Sequence, residues 1–261
     1  MTPPTAVKQG RVVFIGAGPG AADLITLRGA QRLRQADVVL FDALTDPALR
    51  DLAPNARWVN VGKRGFSDST GQATIDALLV RLAGQHSLVV RLKGGDPSIF
   101  GRLEEELQAL ATAGIACEVV PGVTAALAAA ADTQRPLTRR GQGRSVSLTT
   151  AMTQQGALTA GRNADTEVFY MAGRQLGKLG RALRAAGWHY STPVCVVSRA
   201  GWPDSLSSEH ALADLAGAAV LHAGRPTVVT VGAGASRVAV ASTPITRASE
   251  AVPASTAAMA P

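Results

Sequence analysis

Three short apolar runs in the first half of the chain each stop at a glycine- or proline-rich turn. They are Arg11 to Ile15 before Gly16-Ala-Gly-Pro-Gly20, Leu88 to Leu92 before Lys93-Gly-Gly-Asp-Pro97, and Cys117 to Val120 before Pro121-Gly-Val-Thr124. Two further runs, Val38 to Phe41 and Trp58 to Val61, lie among them, the second ending at Gly62-Lys-Arg-Gly65. Short, continuous, Val-rich runs of this kind read as strands buried on both faces. Helical patterns fill the gaps: Asp23 to Gln35 with Leu24, Leu27, Ala30 and Leu33, a helix capped at Ser69 and running to Leu82, and Gly101 to Ala113 with Glu104, Glu105 and Glu106. Strand and helix in alternation predict an α/β fold with a mostly parallel sheet covered on both faces.

The second half repeats the theme more loosely. Thr124 to Asp132 is an alanine-rich helix, and Gln175 to Ala186 is another. Ser145 to Thr149, Glu167 to Met171, Pro193 to Ser198 and Thr227 to Val231 read as four strands. A boundary near residues 122–135 gives two α/β lobes, 10–122 and 123–241, with a ligand cleft between mostly parallel sheets. Residues 1–9 and 242–261 are rich in Pro, Ala, Ser and Thr without periodicity and are expected to be disordered tails.

Composition removes several classes. With 46% hydrophobic and 17% charged residues, the chain is not wholly disordered. No apolar run approaches the roughly 18 residues of a membrane span, and Met1 to Gly10 has no apolar core, so a cytoplasmic protein without a membrane partner is expected. Cys117 and Cys195 both sit in Val-rich runs and are expected to be buried strand residues. Neither has a zinc-type spacing, and no metal is expected. The net charge is +7, but residues 1–122 carry 13 basic and 12 acidic side chains, against 13 and 7 in the remainder. An arginine excess confined to one half suits an anionic partner. With 4% aromatics and no helix-turn-helix or zinc finger, that partner is a small polyanion rather than a nucleic acid.

In parallel sheets ligands sit outside the carboxyl ends of the strands. Gly16, Gly18 and Ala21, with Asp37 or Asp42 about 20 residues on, satisfy a dinucleotide fingerprint, which leaves an NAD-binding oxidoreductase open. Pro19 fits a phosphate-gripping helix start poorly, because it has no N–H. The whole ordered series is more specific: GAGPG, then GKRG, RLKGGDPSIFGRLEEE, VVPGVTAA and FYMA. This series resembles the tetrapyrrole methylase family over about residues 11–235.

The resemblance implies two α/β lobes in a homodimer, with S-adenosyl-L-methionine folded into the cleft between them as methyl donor. It implies two C-methylations of uroporphyrinogen III, giving precorrin-2 by way of precorrin-1, for siroheme- or cobalamin-type biosynthesis. Another corrinoid or anionic small molecule is the alternative acceptor. By resemblance, Pro19, Gly94, Gly95, Asp96, Ile99, Thr124, Ala125, Met171, Ala200 and Thr227 bind the donor. Asp42 matches the proton acceptor and Lys63 the proton donor. Arg102, Glu105 and Arg140 match residues at the tetrapyrrole, and Arg64, Arg135, Arg139, Arg144 and Arg174 offer further guanidinium forks for its carboxylates. The chain departs from the family pattern at Leu103 and Glu104, where glycines are usual, at Arg139, where histidine is usual, and at Thr149-Thr-Ala-Met152. The first two add bulk at a helix start that is expected to lie under the donor.

Overall fold

The structure, a computed structural model, describes residues 9–62, 71–151, 158 and 160–238. Lys63, Arg64, Ser69, Met152 and nearly all of the two expected tails lie outside the described residues. Gln9, the last residue of the first expected tail, donates a 3.1 Å side-chain hydrogen bond to the Ala113 carbonyl.

The first sheet contains β1 (Arg11–Gly16), β2 (Val38–Phe41), β3 (Arg57–Asn60), β4 (Leu88–Lys93) and β5 (Cys117–Val120). Their order is β3-β2-β4-β1-β5, and every pairing is parallel. Successive side chains point to opposite faces, so each apolar strand feeds two cores. Val12, Phe14, Val38, Leu40 and Val89 meet Leu79 and Leu82 of α2 (Gln72–Ala83) and Leu110 of α3 (Leu103–Thr112). Val13, Ile15, Val39, Val90 and Leu92 meet Leu33 of α1 (Leu27–Leu33). Each such buried aliphatic side chain contributes about 1.5–3 kcal/mol, which is why an uninterrupted apolar run codes for a central strand.

The expected helix over Asp23 to Gln35 divides in two. A 3-10 turn spans Ala22–Leu24, Ile25 is extended, and Thr26 caps α1 by accepting from the Gly29 amide at 3.1 Å. Likewise α3 begins at Leu103 rather than Gly101, because Arg102 holds a left-handed φ of 54°. Cys195 is buried as expected, but Cys117 is exposed. Its strand, β5, is the sheet edge, so only one side is covered by a neighbouring strand.

The second sheet runs β6-β7-β10-β8-β9, from β6 (Val146–Thr150), β7 (Thr166–Tyr170), β8 (Pro193–Ser198), β9 (Leu206–Ala211) and β10 (Thr227–Gly232). Among the described residues, only β6 and β7 pair in parallel here and the other three pairings are antiparallel. The expected mostly parallel sheet is therefore found in the first lobe and corrected in the second, where β10 runs antiparallel to β7 and β8, and β8 to β9. Strand β9 (LSSEHA) carries no apolar run and was not expected. It is a polar edge strand, fixed by its ladder to β8. Helix α4 (Ala125–Asp132) follows β5 but packs Ala126, Ala128 and Ala129 against Val168, Tyr170, Val197 and Val228 of the second sheet. Among the described residues, the remaining α-helices are α5 (Leu176–Ala185) and α6 (Ala218–Leu221). Among the described residues, no helix is long and apolar enough to cross a membrane, and no His, Cys, Asp and Glu group could hold a metal.

Candidate active site

The loops that leave β1, β4 and β5 are bonded to one another. Gly95 N–H donates to the Gly18 carbonyl at 2.7 Å, and Gly18 N–H returns a bond to the Gly95 carbonyl at 3.3 Å. Gly16 lies so close to the β5 loop that a Cβ on it would sit 2.5 Å from Gly122 Cα, which only glycine permits. Asp96 closes the arrangement. Its Oδ2 accepts from the Gly122 amide at 2.9 Å, and its Oδ1 accepts from the Ser98 amide at 2.8 Å and from the Ser98 hydroxyl. Burial pushes this carboxyl up, but the bonds from Ser98 and Gly122 outweigh it and hold it below the usual carboxylate range.

A cleft of about 220 Å³ opens beside these loops. A single water takes about 30 Å³ of liquid volume, so the cleft is ligand-sized. It is walled from one side by the loops of the first sheet and from the other by the start of α4, the residues that end or follow β7 and β8, and the start of β10. Pro19, Gly94, Gly95, Asp96, Ile99, Thr124, Ala125, Met171, Ala200 and Thr227 all line it. Gly95 has φ +72°, and a Cβ there would enter open space whose nearest atom is Thr124 Cα at 4.0 Å. The glycines therefore keep one wall at backbone height. The lining fits S-adenosylmethionine: apolar walls at Ile99, Ala200 and Met171 suit an adenosine and the methyl and methylene groups on its sulfonium, and the bare backbone of Gly94 and Gly95 suits close approach.

Sequence reasoning missed several cleft residues. The Trp202 indole N–H donates to the Pro19 carbonyl at 3.0 Å across 183 positions, and the Arg199 guanidinium stands 4.3 Å over the Trp202 ring. The Tyr170 hydroxyl shares a 2.7 Å hydrogen bond with the Thr124 hydroxyl and accepts from the Ala126 amide at 3.3 Å, supplying the start of α4 with an acceptor. Burial raises the Tyr170 phenol above its ordinary value. Phe100 packs on Tyr170 at 5.0 Å between ring centroids. Phe100, Met171 and Arg199 all have left-handed φ, between 52° and 57°. That backbone costs of order 1–3 kcal/mol per residue, and it concentrates at functional clefts. Tyr170 and Phe100 lie inside quoted motifs, so their position was a signal; Trp202 and Arg199 carried none.

The other candidates separate. Asp42 follows β2, and its Oδ1 accepts from Arg91 Nη2 at 2.8 Å. It lies two residues before Leu44, a cleft residue. Lys63 lies outside the described residues. Arg102 and Glu105 form an exposed pair, Nε to Oε1 at 2.8 Å, and the hollow they line shares Phe100 with the cleft. Arg140 is exposed on a turn away from the cleft lining.

The arginine excess is partly structural, contrary to expectation. Arg135 is buried with Nη2 2.6 Å from Glu209, a charge pair without hydrogen-bond alignment, and Arg139 donates to the carbonyls of Ala233, Ser236 and Arg237. Leu103 packs with the core of α2 and α3 and Glu104 is exposed, so neither adds bulk to the cleft. The dinucleotide reading also fails on geometry. Gly18 spends its amide and carbonyl on Gly95, α1 begins only at Leu27, and the Asp37 carboxylate accepts from the Leu88 amide at 2.8 Å.

Comparison with known proteins points the same way. The family model for tetrapyrrole (corrin/porphyrin) methylases matches residues 11–216. A uroporphyrinogen-III C-methyltransferase of Pseudomonas aeruginosa is 44% identical over 196 residues, covering 74% of this chain and 80% of that protein. A siroheme synthase of Zymomonas mobilis is 43% identical over 203 residues, 76% of this chain but 43% of its own length. Among solved structures, the uroporphyrin-III C-methyltransferase of Thermus thermophilus in complex with S-adenosylhomocysteine superposes with a TM-score of 0.75 at 35% identity, covering 85% of this chain and 97% of that one. A cobalt precorrin-4 methyltransferase gives 0.76 at 29% identity, covering 87% and 96%.

Proposed function

The chain belongs to the tetrapyrrole methylase family, and from that premise we propose that it methylates two ring carbons of uroporphyrinogen III, giving precorrin-2 by way of precorrin-1. The observation that carries this reading is convergence: the ten residues that the resemblance singles out, eight of them in its motifs, are spread from Pro19 to Thr227 and line one cleft. That product feeds siroheme- and cobalamin-type biosynthesis, in keeping with the relatives.

S-adenosylmethionine supplies an electrophilic methyl group in that cleft. Gly94 and Gly95 admit it against bare backbone, while Pro19, Ile99, Ala125, Met171 and Ala200 form walls that exclude water. Asp96 holds the loops of β4 and β5 at their spacing, which sets Thr124. Thr227 closes the side belonging to β10. Fixing donor and acceptor at attack distance contributes about 7–11 kcal/mol of rate acceleration. Asp42, directly after β2, accepts the ring proton released after attack, and Lys63 returns one. Arg102, Glu105 and Arg140 engage the peripheral carboxylates and pyrrole N–H groups of the acceptor. The lobes divide at 122/123, the working form is a cytoplasmic homodimer, and the partner is a small polyanion rather than nucleic acid or membrane.

The test is anaerobic incubation with S-adenosylmethionine and uroporphyrinogen III, followed by mass spectrometry of the tetrapyrrole. Two added methyl groups are expected. A tetrapyrrole of unchanged mass, with S-adenosylhomocysteine still bound tightly, would move the proposal to another corrinoid or anionic acceptor.

A further inference from the structure

Three charged side chains lie in the first lobe with almost no contact with solvent: Arg91 and Lys93 at 3% exposure and Glu106 at 0%. They form one chain of alternating sign. Lys93 Nζ meets Glu106 Oε2 at 2.6 Å, Arg91 Nε meets Glu106 Oε1 at 2.9 Å, and Arg91 Nη2 meets Asp42 Oδ1 at 2.8 Å. The remaining Arg91 nitrogen, Nη1, donates to the Leu92 carbonyl at 3.2 Å. Burial alone would lower the Arg91 guanidinium, but Asp42 and Glu106 outweigh it and hold it above its ordinary value.

Charges this deep cost more in desolvation than their pairing generally returns, so stability is a weak reason to keep them. Among the described residues their one outlet is Asp42, whose side chain is 30% exposed. The backbone of Asp42 is already fixed: its amide donates to Leu92 O at 3.3 Å, and its carbonyl accepts from the Thr45 amide and hydroxyl at 3.2 and 2.8 Å. Among the described residues, Oδ2 has no partner.

We propose that Arg91 is a positioning residue that holds Asp42 by Oδ1 and so presents Oδ2 to the reacting ring, with Glu106 and Lys93 holding Arg91 in turn. This rests on the reading of Asp42 given above. In the reaction, the π pair of the ring carbon forms the new C–C bond and the C–S pair stays on sulfur. The positive charge then left on the ring is discharged by a ring proton moving to Asp42 Oδ2. Only a guanidinium can serve here, because Nε, Nη1 and Nη2 reach three acceptors on different elements at once. A lysine ammonium lacks that planar fork.

The test is a double-mutant cycle on the intact protein, reading single-turnover methyl transfer. S-adenosylhomocysteine affinity, thermal midpoint and a crystal structure of the variant are read beside it. Arg91→Lys is expected to slow transfer about 10- to 100-fold. S-adenosylhomocysteine affinity stays unchanged, and the Asp42 carboxylate is displaced in the crystal. In the Asp42→Asn background the same substitution is expected to change the rate less than about twofold, because the group it positions is gone. Glu106→Gln leaves Arg91 on Asp42 and costs much less than Arg91→Lys. A merely structural role gives losses that multiply in the double variant, and that outcome overturns the proposal, as does a wild-type rate for Arg91→Lys. Should Arg91→Lys not fold, the charge-matched pair Arg91→Gln with Glu106→Gln carries the same cycle. A wild-type rate for Asp42→Asn alone overturns instead the reading of Asp42.

Discussion

Asp96 Oδ2 accepts a 2.9 Å hydrogen bond from the backbone amide of Gly122, 26 residues further along the chain. The carboxylate thereby fastens the loop of β4 to the loop of β5, and its other oxygen is taken by Ser98. Two backbone amides and one hydroxyl therefore occupy its oxygens, and its effect on a ligand acts in part through the spacing of the two loops.

Asp96→Ala is accordingly expected to lose stability and ligand binding together. A hydrogen bond to a charged group contributes about 1.5–3 kcal/mol, and the Gly122 amide is left unpaired. Urea unfolding and calorimetric titration with S-adenosylhomocysteine read the two effects. Wild-type affinity in a destabilised variant would remove Asp96 from the ligand site.

Two glycines separate folding from binding. Gly16→Ala places a Cβ 2.5 Å from Gly122 Cα and is expected to prevent folding. Gly95→Ala meets nothing closer than 4.0 Å, so it costs only the left-handed backbone, roughly 1–2 kcal/mol, while its methyl occupies the cleft. The second variant should fold and bind S-adenosylhomocysteine at least tenfold more weakly. Equal affinity would mean that the ligand does not approach Gly95.

Trp202 is the tryptophan of the cleft; Trp58 packs on Phe41, and Trp188 beneath the Arg162 guanidinium. Ligand binding is expected to change its fluorescence, and Trp202→Phe to abolish the change. The lost bond to Pro19 O should destabilise the protein by about 0.5–1.5 kcal/mol. A full fluorescence response in Trp202→Phe would place the ligand elsewhere.

Stability should fall on mild acidification. His222 is wholly buried between the hydroxyls of Ser198 and Ser208, at 2.9 and 2.8 Å. Burial depresses its imidazole, and His210 and Arg225 add to the effect. Because the folded value lies below the ordinary 6.5, the unfolded chain binds the proton first. The contribution is present above about pH 6.5 and is lost as pH falls through the folded value. Urea midpoints at pH 7.5 and 5.5 should differ for the wild type and less so for His222→Gln. A second loss belongs to Glu209, whose pairing with Arg237 and Arg135 lowers it from 4.5 to about 2. That contribution disappears between those two values.

The sequence by itself determined the first lobe and the motif positions of the cleft. Central strands such as β1 and β4 are coded by uninterrupted apolar runs, and the glycines by backbone conformations that only they adopt easily. Both signals are local, so they survive without knowledge of any partner. The tertiary structure decided everything that depends on a distant neighbour. Strand β9 exists because β8 offers it a ladder, Cys117 is exposed because β5 has a partner on one side only, and Arg135 and Arg139 turn inward to an acid and three carbonyls. Trp202 reaches Pro19 across 183 positions, and Arg91 reaches Asp42 across 49. A polar or charged side chain has no preferred side until its partner is placed, and placing that partner is the work of the packed fold.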